Sequence, residues 1–293
     1  MKRNKRYIGY LILIISLIVF GILTGLKESN QIDNISQQDF INSNSFLKVY
    51  YLNVGEGDCI IVQQDNESML IDAGNHSDSS KIKSYIDNLG IKSFNYVIGT
   101  HIHADHIGSM SEIIRSYDIK KFYFPKEIGT TKTFENLVDT LKEKKLNISV
   151  PEVGETFNLG TAECTVLAPN STSYEDPNNY SIVLKITFGT RSFLFMGDAE
   201  AISEKEILKN NKQLLKADVL KIGHHGSKSS TSSAFLKAVS PTYAVISVGA
   251  ENDYGHPNDN VLKRLKKNKV KVLRTDKNET IVATTDGTNL SID

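Results

Sequence analysis

The chain carries no net charge, no tryptophan and only two cysteines in 293 residues. Basic and acidic side chains number 34 each, and without the N-terminal positives Lys2, Arg3, Lys5 and Arg6 the balance is 30 basic against 34 acidic. That excludes a globally basic field able to hold nucleic acid by charge alone. Cysteine is too scarce for a disulfide scaffold. Cys59 and Cys164 both fall in strand-like segments, and each is expected to be a small apolar core residue, although an oxidising compartment would permit a bond. No internal repeat is visible.

Long hydrophobic runs are absent with one exception, at the front. Tyr7 to Leu26 passes twenty residues without a charge, behind the basic flank 1–6. At about 1.5 Å per residue it spans roughly 30 Å, the hydrocarbon thickness of a bilayer. It reads as a transmembrane anchor with the N-terminus inside. A cleaved signal sequence is the rival reading. Against cleavage, the run exceeds a usual signal core and no clear A-x-A site follows. No cysteine follows either, which speaks against a lipoprotein. Residues 27–45 are polar and read as a linker. Residues 46–293 form the remaining domain, expected on the outer side of the cell membrane, or secreted if the front is cleaved.

What the chain does have is histidine in the right company. The run His101-Ile102-His103-Ala104-Asp105-His106 crowds four potential metal ligands into six residues. Imidazole and carboxylate together suit zinc, manganese or iron. On a regular strand or helix these side chains would diverge, whereas on a strand-to-helix loop they can converge. The apolar residues before the run read as a buried strand, and 107–117 as the following helix. Further candidates also stand where apolar strands end: Asp72 after Leu70-Ile71, Asp198 after Phe195-Met196-Gly197, and His224 and His225 after Lys221-Ile222-Gly223. His256 lies in Tyr254-Gly255-His256-Pro257, and His76 stands apart. Strand ends are where rigid scaffolds present chemistry.

Strand signals fall at 47–54, 59–64, 68–73, 96–100, 121–124, 162–168, 181–188, 192–197, 218–222, 243–248, 270–274 and 280–285. Helical patterns fall at 79–89, 107–117, 131–145, 200–210, 231–239 and 258–267. Pattern alone gives a mixed α/β class.

The combination resembles the metallo-β-lactamase fold superfamily, and more narrowly the hydrolase domain of the ComEC/Rec2 DNA-uptake proteins. The residues that carry it are Tyr51-Leu52-Asn53-Val54-Gly55-Glu56-Gly57-Asp58, Leu70 to Gly74, the histidine run, Met196-Gly197-Asp198, Lys221 to Ser227 and Tyr254 to Pro257. The large permease of those uptake proteins has no counterpart here, so the resemblance implies the hydrolase and not the channel. It implies a four-layer αββα sandwich and two divalent metal ions, Zn2+ or Mn2+. His101 and His103 would hold one metal; Asp105 and His106 the second, with His224 or His225; Asp198 would bridge them. Asp58 and Asp72 would orient the ligand imidazoles from behind. The superfamily often adds a third histidine to the first metal, yet none lies between His106 and Asp198. Asn178 to Ser181 stands in that neighbourhood. The first metal is therefore expected in a more open position with an oxygen ligand, which leans slightly toward manganese.

Two bridged metals would share a water and lower its pKa toward neutrality. Phosphodiesters fit such a site best, because their charge builds on oxygens that two metals can clamp. DNA is one candidate; a phosphocholine ester or a lactone is the enzymatic alternative, and a binding protein with a degenerate site the non-enzymatic one. Asp105, Asp198, His225 and His256 are the expected catalytic residues, with His256 giving a hydrogen bond or proton to the leaving oxygen. Asn179, Ser181, Ser227 and Lys228 are expected to contact substrate. The basic concentration Lys263 to Lys271 reads as a solvated helix face, with a grip on a polyanion near His256 as the alternative.

Overall fold

A computed structural model describes residues 45–293. The apolar segment 7–26 lies outside the described residues, and so does nearly all of the linker. Among the described residues no helix is long and apolar enough to cross a membrane.

The first half of the domain runs β1 (Leu47–Tyr51), β2 (Ile60–Gln64), β3 (Glu67–Ile71), α1 (Ser79–Asn88), β4 (Ser93–Ile98), α2 (Ala104–Ile107), α3 (Met110–Ser116), β5 (Asp118–Tyr123), α4 (Lys132–Glu143) and β6 (Ile148–Ser149). The second half runs β7 (Thr156–Leu159), β8 (Ala162–Ala168), β9 (Val183–Phe188), β10 (Arg191–Phe195), α5 (Ala201–Asn210), β11 (Val219–Lys221), α6 (Ser233–Val239), β12 (Tyr243–Ile246), α7 (Asp259–Lys267), β13 (Lys271–Arg274), α8 (Thr275–Asn278), β14 (Ile281–Thr285) and β15 (Leu290–Ile292). One sheet has the order β15-β14-β1-β2-β3-β4-β5-β6, the other β13-β12-β11-β10-β9-β8-β7.

Strand periodicity explains the layering. Alternate residues of a strand face opposite sides. Leu47, Val49 and Tyr51 enter the layer between the sheets, where they meet Phe193, Phe195 and Val166. Tyr50 and Leu52 face the outer helices instead. Three of the longer helices bury an apolar pair four residues apart: Ile82 and Ile86 in α1, Leu137 and Leu141 in α4, Val261 and Leu265 in α7. That spacing makes one apolar stripe per helix. Each such side chain contributes ~1.5–3 kcal/mol by leaving water. The result is a helix–sheet–sheet–helix sandwich. Cys59 and Cys164 are buried, free thiols.

The expected helix 107–117 is divided. The amides of Gly108 and Ser109 donate to the carbonyls of Gly74 and Ala73 rather than along a helix. This breaks the helix into α2 and α3 and ties the histidine run to the loop after β3. Strands β6, β7 and β15 carry too little alternation to be seen in the sequence; tertiary pairing defines them.

The parallel stretches of both sheets matter most. β3 pairs with β4 in parallel, and β10, β11 and β12 pair in parallel in the other sheet. Their carboxyl ends meet at one rim, and loops beyond such ends form the natural crevice of α/β sheets.

Candidate metal centre

Five loops converge at that rim. Asp72 follows β3, His101 to His106 follow β4, Asp198 follows β10, His224 and His225 follow β11, and the 247–257 loop follows β12. Asp58, between β1 and β2, comes in from the side. Backbone bonds stitch the loops together: Ile182 N donates to Thr100 O from one sheet to the other, and Asp58 N to Asp105 O between loops of one sheet.

Two glycines make these approaches possible. A Cβ on Gly57, whose φ is +122°, would stand 2.3 Å from the backbone oxygen of Asp105. One on Gly226, at φ +83°, would stand 2.6 Å from the Cβ of Pro257. Three non-glycine residues of the site also sit in the left-handed region: Asp72 (φ 59°), His224 (φ 48°) and His225 (φ 48°). That conformation costs about 1–2 kcal/mol per residue, and such strain gathers at functional sites.

The inner part of the cluster is fully assembled. One donor atom each from Asp105, His106, Asp198 and His225 lies within 4.8 Å of all the others. His106 Nε2 is 3.3 Å from Asp198 Oδ1 and 3.6 Å from Asp105 Oδ2. His225 Nε2 is 3.5 Å from Asp198 Oδ1 and 3.3 Å from Asp105 Oδ2. His106 Nε2, His225 Nε2 and Asp198 Oδ1 are all buried, and none makes a hydrogen bond. Buried polar atoms without partners cost free energy. Three of them aimed at one point fit a cation. The cluster is capable of binding metal ions.

Buried residues behind the imidazoles fix their tautomers. His106 Nδ1 donates to Asp72 Oδ2 over 2.8 Å. Asp72 also accepts from Thr100 N and Thr100 Oγ1. His225 Nδ1 donates to Ser247 O at 2.9 Å. Each Nε2 is thus left facing the cluster. Asp58 plays a different part from the one expected. Its Oδ2 pairs with Lys221 Nζ at 2.8 Å, both side chains fully buried, while Oδ1 stands 3.7 Å from His225 Nδ1. Ser247 is His225's partner, and the buried Asp58–Lys221 pair supports it from behind. Neither Ser247 nor Lys221 was legible as a site residue, because a strand lysine ordinarily faces solvent.

The outer part is looser. His101 Nε2 lies 3.0 Å from His103 Nδ1 and 3.9 Å from Asp198 Oδ2. His224 Nε2 is also 3.9 Å from Asp198 Oδ2. Asp198 therefore turns one oxygen to each group of histidines. His225 stands with Asp105 and His106 at Asp198 Oδ1, whereas His224 shares Asp198 Oδ2 with His101. His224 is thus an imidazole at the outer carboxylate oxygen that does not come from the 107–197 stretch. Glu200 Oε1 holds its Nδ1 at 3.0 Å, and the amide of Asn178 lies 3.5 Å away.

Charge follows from this packing. Burial works against an ionised Asp198, but His225 and His106 prevail and hold its carboxyl well below the usual range. Burial likewise opposes a charged His225, yet Asp198 and Asp105 lift it to about 9. Burial, then the neighbouring His106, pushes His101 down. Burial and the neighbours His224 and His225 also lower His256. A neutral His256 keeps one N–H for hydrogen bonding but is a poor proton donor.

Several expected substrate contacts are structural instead. Asn179 is fully buried, and its Oδ1 accepts from Glu200 N and Ser203 N. Ser181 is fully buried, and its Oγ accepts from Asp198 N. Ser227 is buried against Ser229. Lys228 is exposed but lies off the cleft. His76 is exposed and bonds Thr133. The cleft, about 300 Å3, is lined by Glu56, His103, Ala104, Asp105, Asp198, His224, His225, Tyr254 and His256. A larger groove of about 550 Å3, along α1 and α3, holds no such cluster.

The family model of the metallo-β-lactamase superfamily matches residues 52–250. The chain belongs to that superfamily. It is 32% identical to ComE operon protein 3 of Bacillus subtilis over 80% of this chain and 32% of that one. It is 28% identical to Recombination protein 2 of Haemophilus influenzae over 76% of this chain and 27% of that one. It spans about a third of the length of these curated relatives. The solved structure of the metallo-β-lactamase fold protein YhfI from Bacillus subtilis shares the fold, with a TM-score of 0.57, 14% identity, 83% of this chain and 100% of that one covered. So does CmlA, a diiron β-hydroxylase from Streptomyces venezuelae, with a TM-score of 0.53, 15% identity, 78% of this chain and 52% of that one covered. One fold thus carries different chemistries, and the site's own residues have to decide between them.

Proposed function

We propose that this superfamily member is a membrane-tethered, extracytoplasmic metal-dependent phosphodiesterase that acts on nucleic acid. The observation that carries a hydrolytic metal site is the convergence of the three partnerless buried atoms His106 Nε2, His225 Nε2 and Asp198 Oδ1. Asp105, His106 and His225 would hold an inner divalent cation, His101, His103 and His224 an outer one, with one oxygen of Asp198 toward each. Zinc or manganese, once held by these residues, would supply a Lewis acid that lowers the pKa of a water and neutralises charge on a phosphoryl group.

The chain's own residues do the rest. Asp72 and Ser247 keep the Nδ1 protons of His106 and His225 on the far side from substrate. Asp105, half-buried beside the cleft, holds its charge there at neutral pH, since His106 and His225 outweigh the burial that opposes ionisation. His256 lines the outer cleft and donates a hydrogen bond to the departing oxygen. Relatives named for competence and for recombination support nucleic acid as the substrate. The charge-free run 7–26 behind four positives supports tethering with the domain outside.

The test is hydrolysis of bis-nitrophenyl phosphate and of a DNA strand by the full-length chain in detergent, with elemental analysis for metal. Cleavage that disappears with chelator and returns with zinc or manganese is expected. A metal-loaded protein that opens a lactone or releases phosphocholine but cleaves neither phosphodiester sinks this reading.

A further inference from the structure

The cleft has an aromatic step that the hydrolytic chemistry leaves unused. Tyr254 lines it beside His256, yet is 75% exposed. Among the described residues its hydroxyl has no hydrogen-bond partner. Its ring lies 5.8 Å from that of His256 and nearly parallel to it, at 24°. His256 in turn stands 5.6 Å from His224 at 76°, and His224 faces Asp198. Three rings therefore descend from solvent to the candidate metal centre.

The loop that carries Tyr254 is pinned. Asn252 Nδ2 donates to Gly249 O and His256 O, and Asn252 Oδ1 accepts from His256 N. Its far end is anchored where Asn258 caps α7. A rigid loop that holds an exposed aromatic face at the mouth of a cleft gains nothing for folding from that ring. It does offer a π-face at little ordering cost to a flat ligand.

The remaining lining limits what that ligand is. Among the described residues no lysine or arginine lines the cleft, while Glu56, Asp105 and Asp198 do. A polyanion is not gripped there along its backbone by side-chain charge, so grip beyond the scissile phosphate has to come from another part of the substrate. We infer that Tyr254 is a stacking platform for a nucleobase, which makes the substrate a single-stranded, base-bearing phosphodiester; this rests on the phosphodiesterase reading above. A paired base would have to leave its duplex to reach the ring, so single strands are taken in preference.

Two experiments on the full-length, zinc-loaded chain test this. The first compares KM for an oligothymidylate with KM for an abasic strand of equal length. Wild type is expected to favour the base-bearing strand by roughly 5- to 150-fold, the range of one base–aromatic stack. In Tyr254→Ala the ratio collapses toward one, and Tyr254→Phe restores it. The second uses the absence of tryptophan: Tyr254→Trp places a single indole at the cleft, and a phosphorothioate oligothymidylate should quench its fluorescence while the abasic strand does not. If wild type cleaves both strands with the same KM, or Tyr254→Ala keeps the preference, the stacking assignment is overturned and the phosphodiesterase reading stands. If wild type cleaves neither strand, both fall.

Discussion

The two halves of the candidate metal centre are built differently, although both draw on the same carboxylate. The inner half, Asp105, His106 and His225 at Asp198 Oδ1, leans on buried supports: Asp72 behind His106, Ser247 behind His225, and the Asp58–Lys221 pair beneath. The outer half, His101 and His224 at Asp198 Oδ2 with His103 beside His101, has only His101 fully buried. Its His224 is held by Glu200 from a partly exposed side. His106 and His225 Nε2 lie 3.3 and 3.5 Å from Asp198 Oδ1, while His101 and His224 Nε2 each stand 3.9 Å from Oδ2. A preorganised pocket loses little entropy on binding an ion, and a looser one must order its rings first. The inner half should therefore bind first and release last.

The largest effect should come from Asp198→Ala, which removes the residue shared by both halves. Hydrolysis of a phosphodiester should fall by more than the roughly 10²–10⁴-fold typical of one lost proton donor, and elemental analysis should show both metals depleted. Metal content unchanged beside lost activity would mean that Asp198 bridges nothing.

Lys221→Met attacks only the inner support. It leaves Asp58 buried and unpaired, which should cost about 3–5 kcal/mol, read as a lower urea midpoint. The double change Asp58→Leu with Lys221→Met should recover much of that loss, since a buried pair replaced by apolar residues is often tolerated. A single variant as stable as wild type would show that the pair lends the inner half no rigidity.

His103→Ala touches only the outer half. It should lower the metal content from two toward one per chain, with metal affinity at the outer position falling at least the roughly 10–100-fold that even a lost supporting contact costs. Competition with a chelator would read this, and loss of both ions together would erase the distinction between the halves.

The smallest effect is on pH. His225 has its folded pKa raised from 6.5 to about 9. In the metal-free chain its stabilising contribution is thus complete below about 6.5 and is lost as pH rises through about 9, on the order of 1 kcal/mol or more. Urea unfolding in chelator should show stability falling across that window. Metal affinity should rise over the same range, because the ion must displace that proton. Stability flat between pH 6.5 and 9 would place His225 outside the inner charge cluster.

Much of this was legible beforehand. The ligand run His101 to His106, the strand-end positions of Asp72, Asp198 and His224-His225, and the alternation that sorts Val49 from Tyr50 are local patterns. Local patterns survive in one dimension. Other features were misread for a common reason. Asn179 and Ser181 are polar residues near the site in sequence, as ligand-contacting residues would be, but their side chains turn inward to hold Glu200 N and Asp198 N. Lys221 was legible only as part of a motif and is a buried cation paired with Asp58. Tyr254 was part of a motif without a role until its exposure and its ring stacking on His256 were seen.

The sequence by itself determined the ligand types, the helix and strand periods and the placement of chemistry at strand ends, because propensity and hydrophobic period act over a few residues. Only the tertiary structure decided which histidine goes with which. His224 and His225 are adjacent, and two left-handed backbone positions send them to opposite oxygens of Asp198. Side-chain direction at a loop is set by non-local contacts, here the Ser247 carbonyl on one side and the Glu200 carboxylate on the other, and no local spacing encodes them.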